Sequence, residues 1–204
     1  MSASAKVHPW PLRLCHWLNV LVMVGMVMSG WGIYNASPLF SFTFPQPLTL
    51  GGWLGGNLAW HLAVMWLLFV NALIYTLWGV LSGHFRRRFF PFSAGAVIRD
   101  AGLALRFRLP HQHNDYNAVQ KLLYVVVLLL GGLLVLSGLA IWKPVQFSEL
   151  VAVFGGFDTA RYVHFFAMSG LMLFVVVHVV MVLLVPKTLP AMVTGGRRKG
   201  PADE

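Results

Sequence analysis

The residues best placed to do chemistry in this chain are four histidines lying within long apolar runs: His16, His61, His164 and His178. An ionisable side chain is expensive inside a bilayer, so each is a functional candidate by default. One such histidine alone reads equally well as a hydrogen-bonding partner between helices. Four at matching depths read as ligands. Fourteen residues separate His164 from His178, which on a helix is roughly 21 Å of rise and about 40° short of four full turns. Both imidazoles therefore leave one face, at two levels. Alternating helix direction puts His16 level with His178 near the cytoplasmic side, and His61 level with His164 near the outer side. Neutral imidazole binds haem iron, and two axial imidazoles leave no open position for oxygen or substrate. The expected cofactors are two haem b groups that move electrons, the inner one on His16 and His178, the outer one on His61 and His164. Zinc is the competing metal. It wants three or four converging ligands, with cysteine or carboxylate available, whereas each level here offers two histidines and no carboxylate.

The elements that must position these residues follow from hydropathy. In 204 residues, 58% belong to the hydrophobic set and only 10% are charged, with a mean hydropathy of +0.72. A soluble globule is near half apolar and a quarter charged, so this is a membrane protein. A spanning helix needs roughly 20 apolar residues. Four runs qualify, at about residues 14–34, 58–81, 118–141 and 162–185. Pro9 and Pro11 suit the start of the first; Pro144 and Pro186 follow the third and fourth. The expected fold is all-α, an integral membrane four-helix bundle forming a single domain over residues 1–204. Nothing before the first run reads as a cleaved signal peptide, no stretch outside the runs suits a soluble catalytic domain, and no internal repeat stands out.

Charge sets the orientation. Lys and Arg total 15 against 6 Asp and Glu, a net +9. In a membrane chain that excess marks cytoplasmic loops rather than a nucleic-acid partner. Thirteen basic residues fall on one side (Lys6, Arg13, six arginines of the 82–117 loop, Lys121, Lys187 and Arg197-Arg198-Lys199), and two, Lys143 and Arg161, on the other. Both termini and the basic loop are therefore expected in the cytoplasm. The single cysteine, Cys15, excludes an internal disulfide, a cysteine-ligated iron–sulfur cluster and a CxxCH haem attachment. It reads as a small packing residue.

Small and basic residues near the histidines carry two readings each. Gly25, Ser29 and Gly30 on the first span, and Gly131, Gly132 and Gly138 on the third, are small enough for a porphyrin face to approach the backbone; equally, small residues let membrane helices pack closely. Arg13 and Arg161 each precede a histidine by one turn and suit haem propionates, or serve as headgroup anchors. His8, His84, His111 and His113 lie outside the spans or at their edges and read as solvated or interfacial. Most tryptophans and tyrosines flank the spans, as aromatic belts do.

At these residues the chain resembles a family. The run Arg13-Leu14-Cys15-His16-Trp17-Leu18-Asn19, followed by Ser29-Gly30, resembles the first helix of the bacterial dihaem cytochrome b superfamily. That group includes cytochrome b561-like proteins and the gamma subunits of nickel–iron hydrogenase and formate dehydrogenase. The fourteen-residue histidine spacing resembles the fourth helix of the gamma subunits. The stretch from Phe154-Gly155-Gly156 through Arg161 and His164 to Val185-Pro186 is most similar to thiosulfate-reductase-type cytochrome b. The resemblance implies a bacterial inner-membrane location and a quinone site near the inner haem. Asn117 would hydrogen-bond a quinone carbonyl there, with Gln120 and Lys121 nearby. The same residues also read as an N-cap and a lipid-phosphate contact. It further implies a redox partner protein, of which a periplasmic molybdopterin oxidoreductase is the leading type.

The leading expectation is thus transmembrane electron transfer between such a partner and the quinone pool, as a subunit of an oxidoreductase. No residue is given a bond-making catalytic role. The alternative is a stand-alone b561-like oxidoreductase taking electrons from a diffusible reductant such as superoxide; it needs a basic funnel outside, where only Lys143 and Arg161 lie. A third reading is a haem-free anchor that tethers a partner or anionic lipid through Arg86-Arg87-Arg88. Membrane lipid and quinone are the expected contacts, nucleic acid is not, and a homodimer is compatible with such a bundle.

Overall fold

A computed structural model describes residues 8–89, 95, 99, 118–186 and 189–196. These residues form helices, and no strand occurs among them. Four helices are long and apolar enough to cross a membrane: α1 (Trp10–Ala36), α2 (Leu54–Leu81), α3 (Ala118–Trp142) and α4 (Phe157–Leu184). The architecture is that of an all-α, multi-pass membrane protein. α1, α2 and α4 begin four or five residues before the apolar runs at 14, 58 and 162. Hydropathy falls off at the interface, but the backbone ladder continues until proline or glycine stops it. Pro9 caps α1, with a further proline in its first turn. Gly83, at φ +66°, follows α2, and Gly155 and Gly156, at φ +78° and +115°, precede α4.

The chain forms two compact units: Met1–Ser82 with Met181–Glu204, and Gly83–Val180. In the first, α1 and α2 run antiparallel along a narrow seam. Its buried positions on α1 include Cys15, Val22 and Ser29, and on α2 Asn57, Val64 and Asn71. Both sets repeat every seven residues, the spacing that keeps one stripe facing a partner helix. The seam is made of small and polar side chains, because apolar bulk gives no advantage where lipid is equally apolar. Leu21, Leu129 and Leu173, each more than 60% exposed, are typical lipid-facing positions.

The connection after α1 is ordered by its own side chains. The Asn35 amide brackets Phe44, donating to its carbonyl and accepting from its N–H, both at 2.8 Å. Phe44 stacks on Trp31 at 4.5 Å. Farther on, the Leu50 N–H returns to the Met28 carbonyl at 3.1 Å. Gly51 sits at φ +123°, close enough to the Asn57 backbone that no Cβ would fit. These contacts fix the register at which α2 starts beside α1.

Residues before α1 and after α4 come together. The His8 N–H donates to the Gly195 carbonyl at 3.0 Å. A short helix, Leu189–Thr194, lies against the start of α1. There the Arg13 guanidinium donates to the Val193 carbonyl and the Trp17 indole N–H to the Met192 carbonyl.

Candidate haem-ligating site

His61 and His164 occupy matching positions in separate helix pairs. In the first unit, Nδ1 of His61 lies 2.9 Å from Oγ of Ser29 on α1. In the second, Nδ1 of His164 lies 3.0 Å from Oγ of Ser137 on α3. Both serines are fully buried. The glycine after each serine faces the same ring: a Cβ on Gly30 would come within 3.4 Å of His61 Cε1, and one on Gly138 within 3.3 Å of His164 Cε1. Glycine at both positions lets the imidazole lie directly against the helix backbone.

This correspondence has a short local counterpart in the sequence. Val27-Met-Ser-Gly-Trp-Gly-Ile-Tyr34 and Val135-Leu-Ser-Gly-Leu-Ala-Ile-Trp142 share Val, Ser, Gly and Ile in register. Eight residues are too few to stand out in a long apolar chain, and they become visible once each serine is seen to meet a histidine. Ser137, which spacing had not singled out, is the clearest residue missed.

The remaining expected site residues fall as follows. His16, half-buried, meets Trp17 edge-on at 5.4 Å. His178 is exposed on its own chain and lies nearly parallel to Phe174 at 5.9 Å. Val64 sits 3.1 Å from where a Cβ on Gly25 would be, so Gly25 matches the helix-packing reading. A Cβ at Gly131 or Gly132 would meet no atom within 4 Å. Arg161 makes a 3.7 Å ion pair with the exposed Asp158 one turn earlier, a surface pair of small energetic weight. Gln120 is exposed and Lys121 half-buried on the first turns of α3. Asn117 lies outside the described residues.

Asn71 was also not foreseen. Buried on α2, its amide donates to the Cys15 carbonyl at 3.0 Å and to Asn19 Oδ1 at 2.6 Å. It anchors the stretch of α1 that carries His16.

These surroundings suit haem ligation. The donors are imidazoles in an apolar setting, with glycine at the ring edges and a serine on the distal nitrogen. An apolar groove of about 350 Å³, lined by Leu130, Leu133, Tyr162, Val163, Phe166 and Ala167, runs along the α3–α4 pair that carries His164. Among the described residues, no group of three or more His, Cys, Asp or Glu side chains comes together to hold a metal ion.

Comparison with known proteins bears on the chain as a whole. Residues 7–195 match the family model described as prokaryotic cytochrome b561. The chain is 50% identical over 190 residues to a protein of Azospira oryzae, provisionally named protein-methionine-sulfoxide reductase subunit YedZ1, covering 93% of this chain and 96% of that one. With four membrane-spanning helices and histidines set within them, the chain belongs to the prokaryotic cytochrome b561 family, the haem-binding electron-transfer proteins of the bacterial inner membrane.

Proposed function

We propose that the whole chain works as one membrane domain that carries electrons between the quinone pool and a redox partner on the outer face. His16 and His178 ligate an inner haem b, and His61 and His164 an outer one. The observation that carries this reading is the half-buried placement of His61 and His164 within spanning helices, each ring lying against a glycine. Haem b, when bound, supplies a reversible one-electron iron couple. The imidazoles of His16, His178, His61 and His164 would hold it, two to each haem, leaving no place for oxygen to bind, and the apolar side chains around them would exclude water.

Quinone is held at the start of α3, with Asn117 on a carbonyl and Gln120 and Lys121 beside it. The name of the Azospira relative supports a reductase as the partner, and a periplasmic molybdopterin oxidoreductase acting on oxidised methionine is the type we favour. The overall reaction then balances. Quinol gives quinone, two protons and two electrons; the sulfoxide takes up two electrons and two protons to give thioether and water. Each quinol oxidised therefore reduces one sulfoxide.

The test is haem stoichiometry by pyridine haemochrome, with a reduced-minus-oxidised spectrum of the purified chain, followed by quinol-driven electron delivery to the copurifying partner. Two low-spin b haems per chain, and a partner reduced only through the chain, are expected. One haem or none would overturn the quartet. Quinone reduction by superoxide with no partner present would favour the stand-alone alternative.

A further inference from the structure

Ser29 and Ser137 do more in this fold than join helices. A serine hydroxyl has one hydrogen and two lone pairs. Ser29 Oγ lies 2.6 Å from the Gly25 carbonyl, and Ser137 Oγ lies 2.6 Å from the Leu133 carbonyl, each one turn back along its own helix. A carbonyl only accepts, so at this distance the hydroxyl hydrogen must point to it. The contacts to His61 Nδ1 at 2.9 Å and His164 Nδ1 at 3.0 Å can then be hydrogen bonds only if Nδ1 carries the proton and the serine accepts. This geometry favours the Nδ1–H tautomer of each neutral imidazole, with the lone pair on Nε2; at His61 the Met26 backbone is a further hydrogen-bond partner. The same geometry argues against a Ser–His nucleophile, because the hydroxyl hydrogen is already committed to the backbone.

The ring plane is held as well. Serine grips Nδ1, while the next residue, glycine, faces the adjacent ring atom Cε1. Two neighbouring ring atoms against one helix leave the imidazole little rotation. The arrangement recurs in both helix pairs to within about a tenth of an ångström, although the serine and histidine are 32 residues apart in one and 27 in the other.

We propose that Ser29 and Ser137 are positioning residues for the outer axial pair: each sets the tautomer and ring plane of its histidine, and together they lower the outer haem's midpoint potential. This rests on the reading of His61 and His164 as iron ligands. A hydrogen bond from Nδ1–H raises the basicity of the ligating nitrogen. A more basic ligand stabilises ferric over ferrous iron, which shifts the potential downward.

The experiment is a redox titration with low-temperature EPR on the haem-loaded chain, comparing wild type with Ser29→Ala, Ser137→Ala, the double variant, and Ser29→Thr and Ser137→Thr. In the alanine variants the outer haem's wave should move positive, further in the double variant, and its low-field g value should change. The inner wave should stay put, and the threonine variants, which keep Oγ, should move back toward wild type. Loss of the outer haem alone from an alanine variant would also support the assignment. Unchanged potential and g value with both haems retained would overturn it, as would equal loss of both haems in every serine variant. His61→Ala separates the two readings. If that variant keeps both haems, the ligand assignment is wrong; if it loses one while the serine variants change nothing, only the serine role fails.

Discussion

Asn71 reaches from α2 to α1 and donates to the main-chain carbonyl of Cys15, at 3.0 Å, one residue before His16. A second bond to Asn19 Oδ1, at 2.6 Å, completes a polar clasp on the inner half of the pair. Side-chain hydrogen bonds between membrane helices are worth about 1 kcal/mol, up to roughly 2. Asn71→Leu should therefore destabilise the chain by about 1–2 kcal/mol. Thermal melts in detergent, followed by the visible band, should show the inner haem's signal declining first. Parallel loss of both signals would mean that the clasp serves the fold as a whole.

The proposed ligand quartet predicts a pattern of non-additivity. His16→Ala or His178→Ala should each remove the inner haem, and combining them should do no more. His16→Ala combined with His61→Ala should remove both. Pyridine haemochrome values of one, one, one and zero haem per chain are expected for those four variants, against two for wild type. One haem retained in the His16–His61 double variant would break the pairing by depth.

Gly32 lies against the amide of Asn57, with no room for a Cβ. Asn57 is buried, and its Oδ1 has no hydrogen-bond partner among the described residues. Gly32→Ala should thus overpack the outer half of α1 and α2, destabilising by about 1–3 kcal/mol. Asn57→Ala should cost little and should relieve most of the damage when combined with Gly32→Ala. A double-mutant cycle on melting midpoints measures that coupling. Additive effects would show that the two residues do not meet.

Arg13 donates to the Val193 carbonyl, and Trp17 to the Met192 carbonyl, which ties the start of α1 to the Leu189–Thr194 helix. Arg13→Ala should loosen that helix at a cost of about 1 kcal/mol and speed its cleavage by protease added from the cytoplasmic side. Haem content should hold at two per chain. Loss of the inner haem with the C-terminal segment still protected would instead favour the propionate role for Arg13.

Much of this protein is legible in short stretches of its sequence. Apolar runs of about 20 residues mark spans because bilayer thickness sets their length, and loop charge marks their direction. The spacing of histidines along one helix follows from its fixed rise. These quantities are local or counted along one helix, so they need no knowledge of neighbours. Helix ends were the exception. α2 begins at Leu54 because Gly51 packs against the Asn57 backbone, four residues outside the apolar run.

The contacts that give the histidines their surroundings depend on how one helix is rotated and staggered against the next. Ser29 meets His61 across 32 residues, Cys15 meets Asn71 across 56, and Arg13 meets Val193 across 180. Hydropathy carries no signal for such pairings, because serine, glycine and asparagine score alike whether they face lipid or a partner helix. The register is decided by close packing: Gly32 on Asn57, Gly25 on Val64, and the loop that returns Leu50 to Met28. Sequence alone thus determined which stretches form helices long and apolar enough to cross a membrane. Only tertiary packing decided which serine each outer histidine meets, because that rests on side-chain volumes matched between helices rather than on the polarity of either one.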